Sequence, residues 1–132
     1  MPATIKQKVK FNLPPAKIYK FYTDPKLHGE LIGGKVKVST EAGAAFSAFG
    51  GDLKGKTLLA KRNKMFVQTW RAKGWPKEDE DSILILSFRE IATGTELEMV
   101  HANVSDSDVD GVKTGWNDYY WRLWKEYIKA NK

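Results

Sequence analysis

The last quarter of the chain is predicted to form one amphipathic helix with a broad aromatic face, and no other feature restricts the fold as much. At about 100° per residue, its apolar side chains fall within one arc of roughly 200°. This arc is too wide for a coiled-coil seam and suits a helix lying across a curved sheet. Gly111 and Gly115, near the start of the helix, are expected to let its backbone approach the sheet closely. The apolar face contains Trp116, Tyr119, Tyr120, Trp121, Leu123, Trp124, Tyr127 and Ile128.

Short segments of alternating polar and apolar residues precede this helix and predict β-strands. In the first of them Ile5, Val9 and Phe11 alternate with lysines, which is the period of a strand with one wet face. Helical spacing over residues 16–23, and a further turn over residues 26–31, predict two short helices. Glycine turns between the later segments favour antiparallel hairpins. The later strands are predicted at residues 35–39, 45–49, 53–61, 65–72, 82–90 and 95–103.

This order of elements predicts an α+β fold. A curved antiparallel sheet of about seven strands wraps around the long C-terminal helix, and two short helices follow the first strand. The 132 residues fit a single domain over residues 1–132, and 42% hydrophobic composition predicts a folded chain.

Composition excludes several classes of protein. The chain has no cysteine, which excludes a disulfide scaffold, a cysteine nucleophile and thiolate metal sites. Its first residues alternate lysine with apolar side chains, unlike a secretory signal, and its longest aliphatic run, residues 83–86, is too short to span a bilayer. We therefore expect a cytoplasmic protein with no membrane span.

The net charge of +6 is unevenly distributed. Residues 1–64 contain thirteen Lys and Arg and four Asp and Glu. The remaining residues contain nine Lys and Arg and twelve Asp and Glu. Clustered cations favour nucleic-acid binding. However, Lys6, Lys8 and Lys10 alternate with core positions of a predicted strand, and no nucleic-acid recognition motif accompanies them. We expect no nucleic-acid partner, and the basic side stays a candidate docking face for an acidic protein.

Residues 106–111 have the D-x-D-x-D-G opening of a calcium-binding EF-hand loop. The twelfth position is Asn117 instead of glutamate, and the preceding segment is predicted to be a strand rather than a helix. We therefore expect no metal site. The alternative is that Ser105 or Asp106 caps the last helix, with the acidic residues near its positive end.

Only His28 and His101 are candidate general bases near neutral pH. No pattern in the sequence indicates an interaction partner for His28. His101 shares a strand face with Leu97 and Met99, so we expect it to point inward, with Asn117 as a candidate hydrogen-bond partner. A structural, hydrogen-bonded histidine is favoured over a catalytic one.

The chain holds sixteen aromatic residues, five of them Trp. They either fill the space between helix and sheet or line a ligand cavity, and the sequence leaves both interpretations open.

Several blocks resemble the family of homologues of the activator of the heat-shock protein 90 ATPase. The segment from Trp70 to Pro76 is similar to the family's W-R-x-x-x-W-P signature, preceded by Phe66-Val67-Gln68-Thr69. Further similar blocks are Phe46 to Gly51 with Leu53-Lys54-Gly55, Gly94 to Leu97, and Gly115 to Tyr120.

The resemblance implies the START-like helix-grip fold, shared with polyketide cyclases and pollen allergens. In the eukaryotic co-chaperone this unit is the C-terminal domain, joined to a separate N-terminal domain. The present chain is expected to resemble the single-domain relatives, which include a group with Val100-His101-Ala102-Asn103-Val104 before the last helix. The wider superfamily commonly binds apolar or amphipathic small molecules between sheet and helix.

Three functions follow as hypotheses. The first is a non-catalytic binding module for a small apolar or amphipathic ligand, without cofactor. The second is a regulator of heat-shock protein 90. The third is an enzyme that uses His101 as a base beside Asn117 and Tyr120. The candidate ligand-binding residues are Phe46, Phe66, Trp70, Phe88, Met99, His101, Trp116, Asn117, Tyr120 and Leu123.

Overall fold

The alternating segments form one seven-stranded antiparallel sheet in the computed structural model, which describes residues 2–131. The strand order is β1-β7-β6-β5-β4-β3-β2, so the first and last strands of the chain are neighbours and each later strand pairs with the next one. The strands are β1 (Ala3–Phe11), β2 (Val36–Lys37), β3 (Ala45–Ala48), β4 (Leu53–Lys61), β5 (Met65–Ala72), β6 (Ser82–Ile91) and β7 (Gly94–Val104).

Two short helices, α1 (Pro15–Thr23) and α2 (Pro25–Ile32), connect β1 to β2. Proline begins each helix, at a position where the missing N–H removes no helical hydrogen bond. Asp24 caps α2, because its side chain accepts hydrogen bonds from the backbone N–H groups of Lys26 and Leu27.

The C-terminal helix begins with α3 (Val109–Trp116) and ends with α4 (Arg122–Ala130), and a π-helical turn, Asn117–Trp121, joins them. The backbone stays helical across both junctions, at Trp116 and at Arg122. The regular 3.6-residue period predicts one uniform helix, so the π turn is a departure from the sequence-based expectation.

The hydrophobic core lies between the inner face of the sheet and the helices. Alternate residues of β5, β6 and β7 are buried, which confirms the strand pattern read from the sequence. The predicted α+β helix-grip architecture is thereby confirmed. Fully buried large side chains include Ile18, Tyr22, Phe46, Phe66, Leu84, Leu86, Leu97, Met99 and Trp124.

The lysines of β1 point to solvent, as their alternation predicts. Lys6, Lys8 and Lys10 are exposed, and the Nζ of Lys8 lies 4.0 Å from a carboxylate oxygen of Glu98 on β7. In the described part of the chain, no helix is long and apolar enough to cross a membrane.

Candidate functional site

A cavity of about 350 Å³ lies between the ends of β4 and β5 and the first turns of the C-terminal helix. The turn Phe49–Gly51, which joins β3 to β4, adds a third side. Its lining is mostly apolar and includes five aromatic residues, and the cavity is open to solvent. Its lining residues are Phe49, Asp52, Leu53, Trp70, Ala72, Asp108, Gly111, Val112, Gly115, Trp116, Tyr119 and Tyr120.

Gly111 and Gly115 face this cavity and do not bring the helix against the sheet. A Cβ atom at Gly115 would have only the Tyr119 ring near it, at 3.7 Å, and one at Gly111 would meet the carboxylate of Asp108. The expected close approach of helix and sheet is therefore wrong. The absent side chains leave space that the cavity occupies.

The structure brings three of the ten candidate residues to the cavity surface, Trp70, Trp116 and Tyr120. Five others are buried in the core and do not line the cavity: Phe46, Phe66, Phe88, Met99 and His101. Leu123 is half-buried and lies outside the lining, and Asn117 is exposed.

Asn117 does not project among the aromatic rings, so its predicted contact with His101 is wrong. It lines a surface groove with Gln7 and Trp121. The π turn is the reason, because it rotates the chain by less than the ~100° per residue of an α-helix. Trp121 therefore stacks on Trp116, five residues earlier, with ring centroids 5.4 Å apart and planes 16° apart. The buried face of the helix is therefore narrower than a regular helical wheel predicts, and Asn117 lies outside this face.

His101 is buried, as predicted, and both ring nitrogens are hydrogen-bonded. The indole N–H of Trp116 donates to Nδ1 at 3.1 Å, so Nδ1 is the unprotonated nitrogen. The Ser82 hydroxyl donates to the Trp70 carbonyl at 2.5 Å and therefore accepts from the Nε2–H of His101, at 2.8 Å. The chain Trp116, His101, Ser82 and Trp70 has a donor and an acceptor at every step, which fixes one neutral tautomer.

Burial lowers the pKa of His101 to about 3. Its one unprotonated nitrogen already accepts a hydrogen bond from Trp116, so no lone pair is directed at the cavity for a substrate proton. This geometry is that of a structural histidine.

His28 is a second buried histidine, and its hydrogen-bond partners were not predicted from the sequence. Its Nδ1–H donates to the backbone carbonyl of Tyr22 at 2.8 Å, and its Nε2 accepts from the Tyr120 hydroxyl at 2.9 Å. Burial lowers its pKa to about 4. A usable signal of its burial existed, because His28, Leu31 and Ile32 have the spacing of one buried helical face.

The aromatic and hydroxyl groups around His28 continue into the sheet. The hydroxyl of Tyr22 donates to Oε1 of Gln68 on β5. Burial raises the pKa of both Tyr22 and Tyr120, so both phenols stay protonated at neutral pH. Tyr120 is thus held in one orientation by His28 while its ring lines the cavity.

The W-R-x-x-x-W-P segment fixes the loop that follows β5. The guanidinium of Arg71 donates to the carbonyls of Asp79 at 2.7 Å and Pro76 at 2.6 Å, and it lies 6.0 Å from the Trp75 ring centroid. The indole N–H of Trp75 then donates to Oδ2 of Asp108 at 2.9 Å. The segment thereby attaches the start of the C-terminal helix beside the cavity.

The acidic segment before the helix takes part in these contacts. The hydroxyl of Ser105 donates to Oδ2 of Asp79 at 2.6 Å. Ser105 makes no capping hydrogen bond, so the expectation that its side chain caps the helix is wrong. Within residues 2–131, no three His, Asp or Glu side chains are grouped so as to hold a metal ion.

Comparisons with known proteins agree with this architecture. A family model described as activator of Hsp90 ATPase homolog 1-like protein matches residues 12–129. An uncharacterized protein from Schizosaccharomyces pombe is 29% identical over 120 residues, which cover 91% of this chain. The chain spans 35% of the length of that curated relative.

Solved structures share the fold. An Hsp90 activator from Plasmodium falciparum is similar with a TM-score of 0.79 and 20% identity, over 89% of each chain. A protein from Mesorhizobium loti is similar with a TM-score of 0.83 and 25% identity, over 98% of this chain and 99% of the other. A protein from the dynemicin biosynthetic locus has a TM-score of 0.80 at 19% identity, over 98% of this chain and 48% of the other.

Proposed function

We propose that this chain, which belongs to the activator of Hsp90 ATPase homolog 1-like family, is a non-catalytic module that binds a small apolar or amphipathic ligand. The observation that carries the proposal is the aromatic cavity of about 350 Å³ between sheet and helix. Cavities of roughly 300–1,000 Å³ with mostly apolar walls and a few polar groups are typical of small-molecule sites.

The residues that line the cavity favour ligand binding without a catalysed reaction. Burial of apolar ligand surface against Trp70, Trp116 and Tyr120 supplies affinity, at about 25 cal/mol per Å². The two histidines nearest these rings have their nitrogens engaged in structural hydrogen bonds, so they position side chains and do not move protons.

Filling the cavity from the helix side tests this function. Gly115 lines the cavity, and a Cβ there meets only the edge of the Tyr119 ring at an ordinary distance. We expect Gly115→Leu to place its side chain in the cavity and to weaken ligand binding at least tenfold, while the fold stays stable because leucine favours helix more than glycine does. Binding is measured for the parent protein and for Gly115→Leu by thermal shift and native mass spectrometry. The ligands screened are lipid, sterol and aromatic libraries.

Thr114→Leu is the matched control, because Thr114 is exposed on the same helix and does not line the cavity. It should bind ligand like the parent protein. A parent protein that no library member stabilises, or a Gly115→Leu variant that binds as well as Thr114→Leu, contradicts the proposal.

Family membership and the likeness to an Hsp90 activator favour a second candidate, a regulator of the chaperone ATPase. Exposed lysines such as Lys6, Lys10, Lys35 and Lys37 suit an acidic partner surface. We expect this protein to raise ATP turnover by the host's heat-shock protein 90 at low salt, with the effect falling as salt increases. No stimulation at low salt contradicts this second candidate and leaves the ligand-binding proposal in place.

A further inference from the structure

The charged residues that line the cavity are both acidic. Asp52 lies at its rim, directly before β4, and Asp108 lies at the start of the C-terminal helix. No lysine or arginine of the described chain lines it. Lys54, Arg71 and Lys73 line a separate groove, which shares Asp52 and Ala72 with this cavity.

Asp52 is an exposed carboxylate with no hydrogen bond or ion pair from its side chain to any residue in the range 2–131. Asp108 accepts a hydrogen bond from Trp75 through Oδ2, while its Oδ1 lies beside Gly111. A Cβ at Gly111 would lie 2.6 Å from this Oδ1, so only glycine leaves room for the carboxylate in its present position. The local sequence thus keeps a carboxylate oxygen next to the cavity.

Aromatic residues line the same cavity as these carboxylates. Phe49 and Tyr119 meet edge to face at the rim, with centroids 5.6 Å apart, and Trp116 and Tyr120 lie 4.7 Å apart further along the helix. Phe49 has a φ of +51°, a strained conformation for a bulky residue, and the turn holds its ring at the cavity in spite of that strain.

We propose that the ligand is an organic cation, an amine or quaternary ammonium group carried on a small apolar body. The inference rests on the proposed function, since it names the ligand class of the same cavity. Aromatic faces attract cations through their ring quadrupole, and two carboxylates add a charge attraction that a neutral ligand does not feel. An anionic ligand meets two like charges and no cation on the cavity surface.

A matched set of probes tests the charge preference. 4-Phenylbutylamine, 4-phenylbutanol and 4-phenylbutyrate share one apolar body and carry a cationic, a neutral and an anionic head at neutral pH. We expect the amine to bind about tenfold more tightly than the alcohol and the acid to bind least, measured by calorimetric titration at low salt.

Asp52→Asn is the decisive variant, because the exposed side chain makes no hydrogen bond or ion pair within residues 2–131 that the substitution would remove. We expect it to weaken amine binding about fivefold and alcohol binding much less, because the neutral head loses no charge attraction. Glu90→Gln, which removes the same charge from an exposed site outside the cavity lining, should change neither. Thermal melts confirm that both variants fold.

The outcomes separate the two proposals. Equal binding of amine and alcohol by the parent protein, or an equal loss in Asp52→Asn and Glu90→Gln, overturns the cation assignment while cavity binding stands. If none of the three probes binds, the proposal of a cationic ligand is overturned. The proposed function is then still decided by the library screen on the parent protein and Gly115→Leu.

Discussion

Lowering the pH from 7 to 5 is expected to reduce the free energy of unfolding by about 4 kcal/mol, which is about 2 kcal/mol for each buried histidine. Burial lowers the pKa of His28 to about 4 and of His101 to about 3, from a usual value of 6.5. Between these values and 6.5 the unfolded chain binds protons that the folded protein does not bind. The stabilisation is therefore complete above pH 6.5 and is lost progressively as the pH falls through 5 toward the folded-state values.

Chemical denaturation at several pH values between 5 and 7 gives the measurement. Around pH 5 to 6 the slope should correspond to about two protons taken up on unfolding. The hydrogen bond from Arg89 lowers the pKa of the Glu96 carboxyl from 4.5. Protonation of Glu96 therefore changes the stability only at pH values below this range.

Glutamine substitutions assign the two protons. His28→Gln and His101→Gln each remove one titrating group, so each should reduce the slope by about one proton, whatever the variant's stability at pH 7. A slope that neither substitution changes would show that the histidines are not the source of the acid sensitivity.

The sequence predicted the sheet well because alternation and burial follow the same rule. In β6, for example, Leu84, Leu86 and Phe88 are buried, as their period of two requires. The inner placement of His101 followed from the same rule, because it lies two residues after Met99 on β7.

The site was harder to predict, because its geometry depends on one irregular turn and on long-range contacts. A helical wheel assumes a constant rotation and therefore placed Asn117 on the aromatic face, whereas the π turn moves it to the surface. The side-chain partner of His28 is Tyr120, 92 residues later, and nothing in the local sequence indicates that pairing. Gly115 could be recognised as special from the sequence, but the space in front of it became visible only once the sheet and helix were placed.

Trp124→Ala is expected to cost about 3–5 kcal/mol, the range for removing a large aromatic side chain from a core. Trp124 is fully buried and joins three elements, with ring centroids 5.6 Å from Phe11 on β1, 5.4 Å from Phe21 on α1 and 6.0 Å from Tyr120. Urea denaturation at neutral pH measures the loss, which is a large fraction of the ~5–15 kcal/mol stability of a typical domain.

Two phenylalanine variants separate packing from hydrogen bonding in this core. The indole N–H of Trp124 has no partner in the described chain, so Trp124→Phe removes no hydrogen bond and should cost roughly 1–2 kcal/mol for the smaller ring. Trp116→Phe makes the same chemical change but leaves Nδ1 of His101 without its donor, which adds about 1–3 kcal/mol for a buried unsatisfied acceptor. Equal costs for the two phenylalanine variants would mean that the Trp116 to His101 hydrogen bond contributes nothing to stability, and the fixed tautomer of His101 would then need another cause.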